Sequence, residues 1–185
     1  TEEKIDFTVA SLRADTLDEE LAAALAASGQ RTMTIAPEAG SERLRCLINK
    51  GITEGDVLRA VELAAGAGMK NIKLYYMIGL PTEEEQDINE LIEMILRVRR
   101  KMDAAGSKGE LVISVNAFVP KPFTPFQWQP LAPVGVLKKR FARLVDAFKK
   151  EKHVTVQTES LKETVLQAVL ARGERKVARA LLRAA

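Results

Sequence analysis

The sequence predicts an α/β fold with parallel strands, on three observations. Short runs rich in β-branched and aromatic residues alternate with longer runs whose apolar residues recur at helical spacing, the pattern of strand–helix units on a parallel sheet. Glycines and Ser or Thr caps punctuate most of the boundaries. The 185 residues hold four to five such units, whereas a closed eight-unit barrel takes about 250 residues. The expected architecture is therefore an arc, a partial (βα) TIM-like barrel, with a helical C-terminal tail. Residues 1–150 read as the barrel portion and 151–185 as a mostly helical extension. A doubly wound sheet is the rival, but the glycine-rich nucleotide loop it would need is not in the sequence.

Ile5–Ser11 reads as the first strand. Thr16, with Glu19 three residues on, has the spacing of a capping box and predicts a helix that ends near Gly29. Arg31–Ala36 is the next strand, and Ser41 is placed to cap a short helix through Ile48. Thr53 opens another helix, with Val57, Leu58, Val61, Ala64 and Ala65 on one face and Gly66 and Gly68 at its end. Asn71–Ile78 is largely apolar and reads as a buried strand, closed by Gly79-Leu80-Pro81. Thr82 and Glu85 suggest a second capping box, before a helix with Ile88, Leu91, Ile92, Ile95 and Leu96 in a stripe. Leu111–Val119 is a strand, followed by an irregular stretch, 120–133, that holds five prolines with Phe123, Phe126 and Trp128. Loops of that length inside a compact domain are often functional. A helix with Leu137, Phe141, Leu144, Val145 and Phe148 inward, a strand over His153–Thr158, and two helices broken at Gly173 complete the chain.

Composition narrows the chemistry. No apolar run approaches the ~20 residues needed to cross a membrane, and we expect a cytoplasmic location and no membrane partner. The start, Thr1-Glu2-Glu3-Lys4, is polar and lacks Met, from which we expect a piece of a longer polypeptide without a signal peptide. Cys46 is the single cysteine and His153 the single histidine. No intrachain disulfide and no cysteine-held cluster can form from this set, and we expect no metal ligands. From residue 130 onward, 13 Lys and Arg face five Asp and Glu. A basic surface of that kind meets RNA in some proteins and is a solvated helix face in most. Lys138, Lys139, Arg140 and Arg143 are the residues on which an RNA reading rests.

In a barrel, sites gather at the carboxyl ends of the strands. The candidates there are Glu38, Ser41 and Arg43 after one strand, Lys73 and Tyr75 along the next, and Asn116, Phe118 and Pro120 at the end of a third. Strand side chains alternate, so Lys73, Tyr75 and Met77 share a face and Tyr76 takes the other, toward the helices. A lysine within a buried strand must find an anion or reach water. A Schiff-base role for Lys73 is one reading and a place in the barrel interior another. Ser41 reads first as a helix cap, Arg43 is also suited to pairing with Glu38 or Glu42, and Phe118 equally to packing in the core. Cys46, among Leu44, Leu47 and Ile48, reads as packing.

Three segments resemble the radical-SAM superfamily. Thr34-Ile35-Ala36-Pro37-Glu38-Ala39-Gly40-Ser41-Glu42-Arg43 is similar to its fourth-strand segment, with Ile48–Thr53 continuing the likeness. Lys73–Glu83, ending in Gly-Leu-Pro, is similar to its fifth. Val115–Pro122 with Thr124-Pro125-Phe126-Gln127-Trp128 is similar to the sixth strand and its loop, in the Fe–S oxidoreductase subgroup related to methylthiotransferases, whose members often carry a cobalamin-binding-like N-terminal domain.

The resemblance implies S-adenosylmethionine and a 4Fe-4S cluster in the full-length parent. The three-cysteine loop that would hold the cluster is not in this sequence, so the chain is expected to be inactive alone and to bind neither. It further implies that Glu38, Ser41 and Arg43 approach ribose or methionine groups, that Asn116, Phe118 and Pro120 approach adenine, and that Thr34, Lys73 and Tyr75 complete the cofactor-binding set, the last two from the interior. The expected partner is the missing N-terminal part of the same polypeptide. The open strand edge at Ile5–Ser11 is further expected to pair with another copy, giving a homodimer, or to be covered by the tail.

Overall fold

The computed structural model describes residues 7–184. Four strands, β1 (Thr32–Glu38), β2 (Asn71–Ile78), β3 (Leu111–Ala117) and β4 (Val154–Thr158), form one sheet in the order β1-β2-β3-β4. All pairings are parallel. Helices occupy the connections and the tail: α1 (Glu19–Ala27), α2 (Glu42–Leu47), α3 (Glu54–Gly66), α4 (Glu85–Ala104), α5 (Val134–Phe148), α6 (Leu161–Arg172) and α7 (Lys176–Ala184). Sequential parallel strands joined by helices on one side are the wall of a (βα) barrel. β4, although it lies beyond residue 150, belongs to the same sheet.

Alternation along the strands sets the two faces of this wall. Ile72, Leu74, Tyr76 and Ile78 of β2 are buried against the helices, with Met33 and Ile35 of β1 and Leu111, Ile113 and Val115 of β3. α4 supplies Ile88, Leu91, Met94, Ile95, Val98 and Met102 to that core, and α5 supplies Leu137, Phe141, Leu144 and Phe148. Each such aliphatic side chain contributes about 1.5–3 kcal/mol by leaving water. The opposite face carries Lys73, Tyr75 and Met77, with Val112, Ser114 and Asn116, all half-buried or exposed. It is the concave side of the wall.

Several boundaries differ from the sequence reading. Ile5 and Asp6 lie outside the described residues, and Phe7–Ser11 form no strand. Leu12 alone bridges to β1, opposite Ile35, with its N–H donating to the Thr34 carbonyl at 3.0 Å. The Val9 N–H goes instead to the Gln30 side chain at 3.0 Å, which stops a ladder from forming there. Asp18, not Thr16, caps α1, accepting from the Leu21 N–H at 2.8 Å, while Thr16 sits in a 3-10 turn and donates to the Arg13 carbonyl. Glu84, not Thr82, is the N-cap of α4, because Thr82 has a φ of 61° and cannot take the extended cap conformation. Val145 is exposed, and Arg140 is buried on α5 in its stead. No helix among the described residues is long and apolar enough to cross a membrane.

Candidate functional site

β1 ends in an irregularity that aims Glu38. Ile35 pairs with Leu74, but the next partners are Glu38 and Tyr76, so β1 has one residue more than β2 over this step. Pro37 brings no N–H to the ladder, which suits the bulge. Glu38 takes a φ of 69° and accepts a hydrogen bond from Lys50 Nζ at 3.2 Å. Gly40 follows, where a Cβ would lie 2.2 Å from the Leu91 Cα; only glycine lets the loop pass α4 this closely.

Glu38 opens onto a concavity of about 500 Å³ at the carboxyl ends of the strands. Tyr75, Met77, Asn116, Phe118, Lys121 and Glu159 share it. Register explains the convergence, since Tyr75 lies opposite Ser114, and Met77 opposite Asn116, on the concave face. Thr34 and Lys73 form a rung beneath, on the same face. Lys73 Nζ lies 5.0 Å from the centre of the Tyr75 ring, so the ammonium meets a π face. Phe118 meets Phe126 edge to face, with centroids 5.7 Å apart, so its ring is braced by the long loop.

The remaining candidates lie elsewhere. Ser41 caps α2, accepting from the Leu44 N–H at 3.3 Å, and donates to Asp87 at 2.6 Å. Arg43 pairs with the other oxygen of Asp87 at 2.5 Å and donates to the Thr82 carbonyl at 2.7 Å. These two side chains tie the β1 loop to the start of α4 and do not line the concavity. Burial works to raise the Asp87 pKa, yet hydrogen bonds from Arg43, Ser41 and the Glu84 N–H outweigh it and hold the carboxyl below its ordinary value. Pro120 is buried at the start of the long loop.

Other residues that shape this end are not singled out by the sequence. Glu159, just past β4, accepts from the Ala117 N–H at 3.2 Å and from the Thr164 hydroxyl at 2.8 Å, at the point where β3 ends, two residues before the expected Val119. Lys121 reaches Gln167 of α6 at 3.4 Å. Glu83 accepts from the Gly79 N–H at 2.8 Å and pairs with Arg140 at 2.7 Å, pinning the β2–α4 turn to α5. Gly79 there has a φ of 87°. Arg45 is fully buried and donates to the carbonyls of Ala39, Gly40 and Ile52. A polar residue immediately after a strand is the available signal for Glu159; no sequence pattern pairs Glu83 with Arg140, which are 57 residues apart.

The cations on which an RNA reading rests are largely engaged. Lys139 and Arg143 pair with Glu85, and Arg140 with Glu83. Among the described residues no group of three His, Cys, Asp or Glu is placed to hold a metal ion. Cys46 is a lone, exposed thiol on α2, which does not fit a three-cysteine cluster.

The sequence model of the Radical SAM superfamily matches residues 2–95. An uncharacterized protein of Methanocaldococcus jannaschii is 38% identical over 177 residues, which are 96% of this chain and 37% of that protein. The chain thus spans little more than a third of the length of the curated relative it matches.

Proposed function

The chain belongs to the radical SAM superfamily, and from this we propose that it supplies the nucleoside and substrate side of a radical-SAM barrel whose cluster loop lies elsewhere in a longer polypeptide. The observation that carries this reading is the convergence of Glu38, Tyr75, Asn116 and Phe118 on one concavity at the carboxyl ends of parallel strands. The concave face continues below it through Thr34 and Lys73.

The residues present suit a nucleoside and do not suit the cluster. Phe118 offers a braced flat ring for stacking on adenine, and the exposed Asn116 amide offers a donor and an acceptor for its edge. Glu38 is positioned to accept from ribose hydroxyls, with Lys50 holding its carboxylate. Ser41 and Arg43 act through Asp87, fixing the loop that carries Glu38. Pro120 sets the course of the chain as it leaves β3. S-adenosylmethionine would supply the adenosyl group for radical chemistry in the full-length protein; these residues would bind it and orient it. By itself the chain is inactive in this reading. The subgroup of Fe–S oxidoreductases near the methylthiotransferases, often with a cobalamin-binding-like domain, is supported by the segment from Val115 to Trp128. The partner is the preceding part of the same polypeptide, continuing the arc past Leu12, and the location is the cytoplasm.

Binding tests the proposal. In the full-length polypeptide, Glu38→Ala and Asn116→Ala should each weaken S-adenosylmethionine by about tenfold or more, the loss of one hydrogen bond to a buried group. Unchanged affinity in both variants, with the fold intact, sinks the assignment.

A further inference from the structure

The end of the sheet opposite the concavity has a regular charge pattern that nucleoside binding leaves unused. Four helix-to-strand connections run there, and in each a cation stands four residues beyond the end of its helix. Arg31 follows α1, which ends at Ala27; Lys70 follows α3, which ends at Gly66; Lys108 follows α4, which ends at Ala104; and Lys152 follows α5, which ends at Phe148. Lys149 and Lys150 add to the row. All six are exposed. Among the described residues none has a carboxylate within ion-pair distance, and the nearby acids are engaged: Glu110 with His153 at 3.2 Å, and Asp103 with Arg99 at 2.8 Å. Glu151 is the other acid in these loops.

Arg31, Lys70 and Lys108 also share a cleft of about 420 Å³, lined further by Asn71, Gly106, Ser107 and Gly109. Among the described residues no acidic side chain lines it. The arrangement is fixed from beneath, because the Lys70 and Asn71 N–H groups both donate to the Arg31 carbonyl at 3.1 Å, and the Ser107 hydroxyl donates to the Lys70 carbonyl at 2.9 Å. Neutralising helix dipoles does not account for the row. That effect fades within the last turn of a helix, and Arg31, Lys70, Lys108 and Lys152 stand past it, although Lys149 is the C-cap of α5.

We propose that this amino-end rim binds the phosphate backbone of a single-stranded polynucleotide. Strands about 4.8 Å apart spread the row over roughly 14 Å, a span that a few successive phosphates of one extended strand would follow. Phe7 borders the first of these loops, its carbonyl held by the Ser28 hydroxyl at 2.8 Å, and the residue is 44% exposed. An exposed ring beside a cationic track is what an unpaired base stacks on. The rim is independent of the S-adenosylmethionine reading, which concerns the other end of the strands.

The experiment is fluorescence anisotropy with a labelled twelve-nucleotide oligouridylate, titrated with the chain over a salt series. Binding should weaken linearly in log–log form as salt rises. The triple variant Arg31→Glu, Lys70→Glu, Lys108→Glu should lose at least about tenfold in affinity, and its salt slope should fall by about two, at about 0.7 for each phosphate deprived of its cation. Lys162→Glu, Arg179→Glu, Arg183→Glu makes the same charge change on α6 and α7 and should alter affinity less than about twofold. A glutamine version of the rim triple replaces the glutamate one if its circular dichroism shows a disrupted fold. The proposal is overturned if the two triples weaken binding equally, if no salt-dependent binding occurs, or if polyglutamate of matching length competes as well as unlabelled oligonucleotide.

Discussion

At the carboxyl ends of the strands, charges hold loops: Glu83 with Arg140, Asp87 with Arg43, Glu38 with Lys50. At the amino ends, Arg31, Lys70, Lys108 and Lys152 project from their loops with no carboxylate partner among the described residues. One sheet therefore has a rim where charge is part of the fold and another where charge is displayed. The two ends should tolerate substitution differently. Altering the first should cost stability, and altering the second should cost only what it binds.

This contrast is tested most severely by Arg140→Ala, which leaves the Glu83 carboxylate buried without its cation. It should lower unfolding free energy by about 3–5 kcal/mol in urea titrations. Next is Gly40→Ala. Its new Cβ would meet backbone of α4 at 2.2 Å, and overpacking against a rigid partner should cost about 3 kcal/mol, read as a fall in the denaturation midpoint. Asp87→Asn should cost about 1–3 kcal/mol and should also change the pH dependence. Because the native pKa of Asp87 is lowered, its contribution is complete above the ordinary Asp value near pH ~4 and is lost as pH falls through the native one. The wild-type protein should therefore lose more stability than the variant between pH ~5 and pH ~2. The smallest effect is expected at the other rim, where Lys70→Ala and Lys108→Ala should stay within about 0.5 kcal/mol of wild type. A loss there comparable to that of Arg140→Ala would erase the distinction.

The strands were legible in the sequence wherever local pattern decides. β2 spans Asn71–Ile78 as its apolar run indicates, and the opposite facing of Tyr75 and Tyr76 follows from alternation alone. The ends of elements were legible only where one residue controls them. Thr53 caps α3 with Asp56 accepting from its N–H at 2.7 Å, whereas the same Ser/Thr spacing at Thr16 and Thr82 misleads, because each of those backbones is committed to a turn. At the site, the strand-borne residues Tyr75 and Asn116 come together as the period of a strand requires. Ser41 and Arg43 do not join them, since Asp87, 46 residues from Ser41, claims both. A partner that remote leaves no periodicity to read. Tyr76 is a further case: alternation tells that it is buried, but not that its hydroxyl finds no hydrogen-bond partner among the described residues.

Arg45 matters to anyone who rebuilds this protein. Its guanidinium joins the carbonyls of Ala39, Gly40 and Ile52 from inside the core, with Met94 the side chain it touches at 3.6 Å. The stretch from Glu38 to Ile52 is thereby clasped about a single inner cation and behaves as one cassette. Transplanting the Glu38 turn into another barrel would succeed only with helix α2 carried along, because the turn takes its shape from an arginine that comes after it.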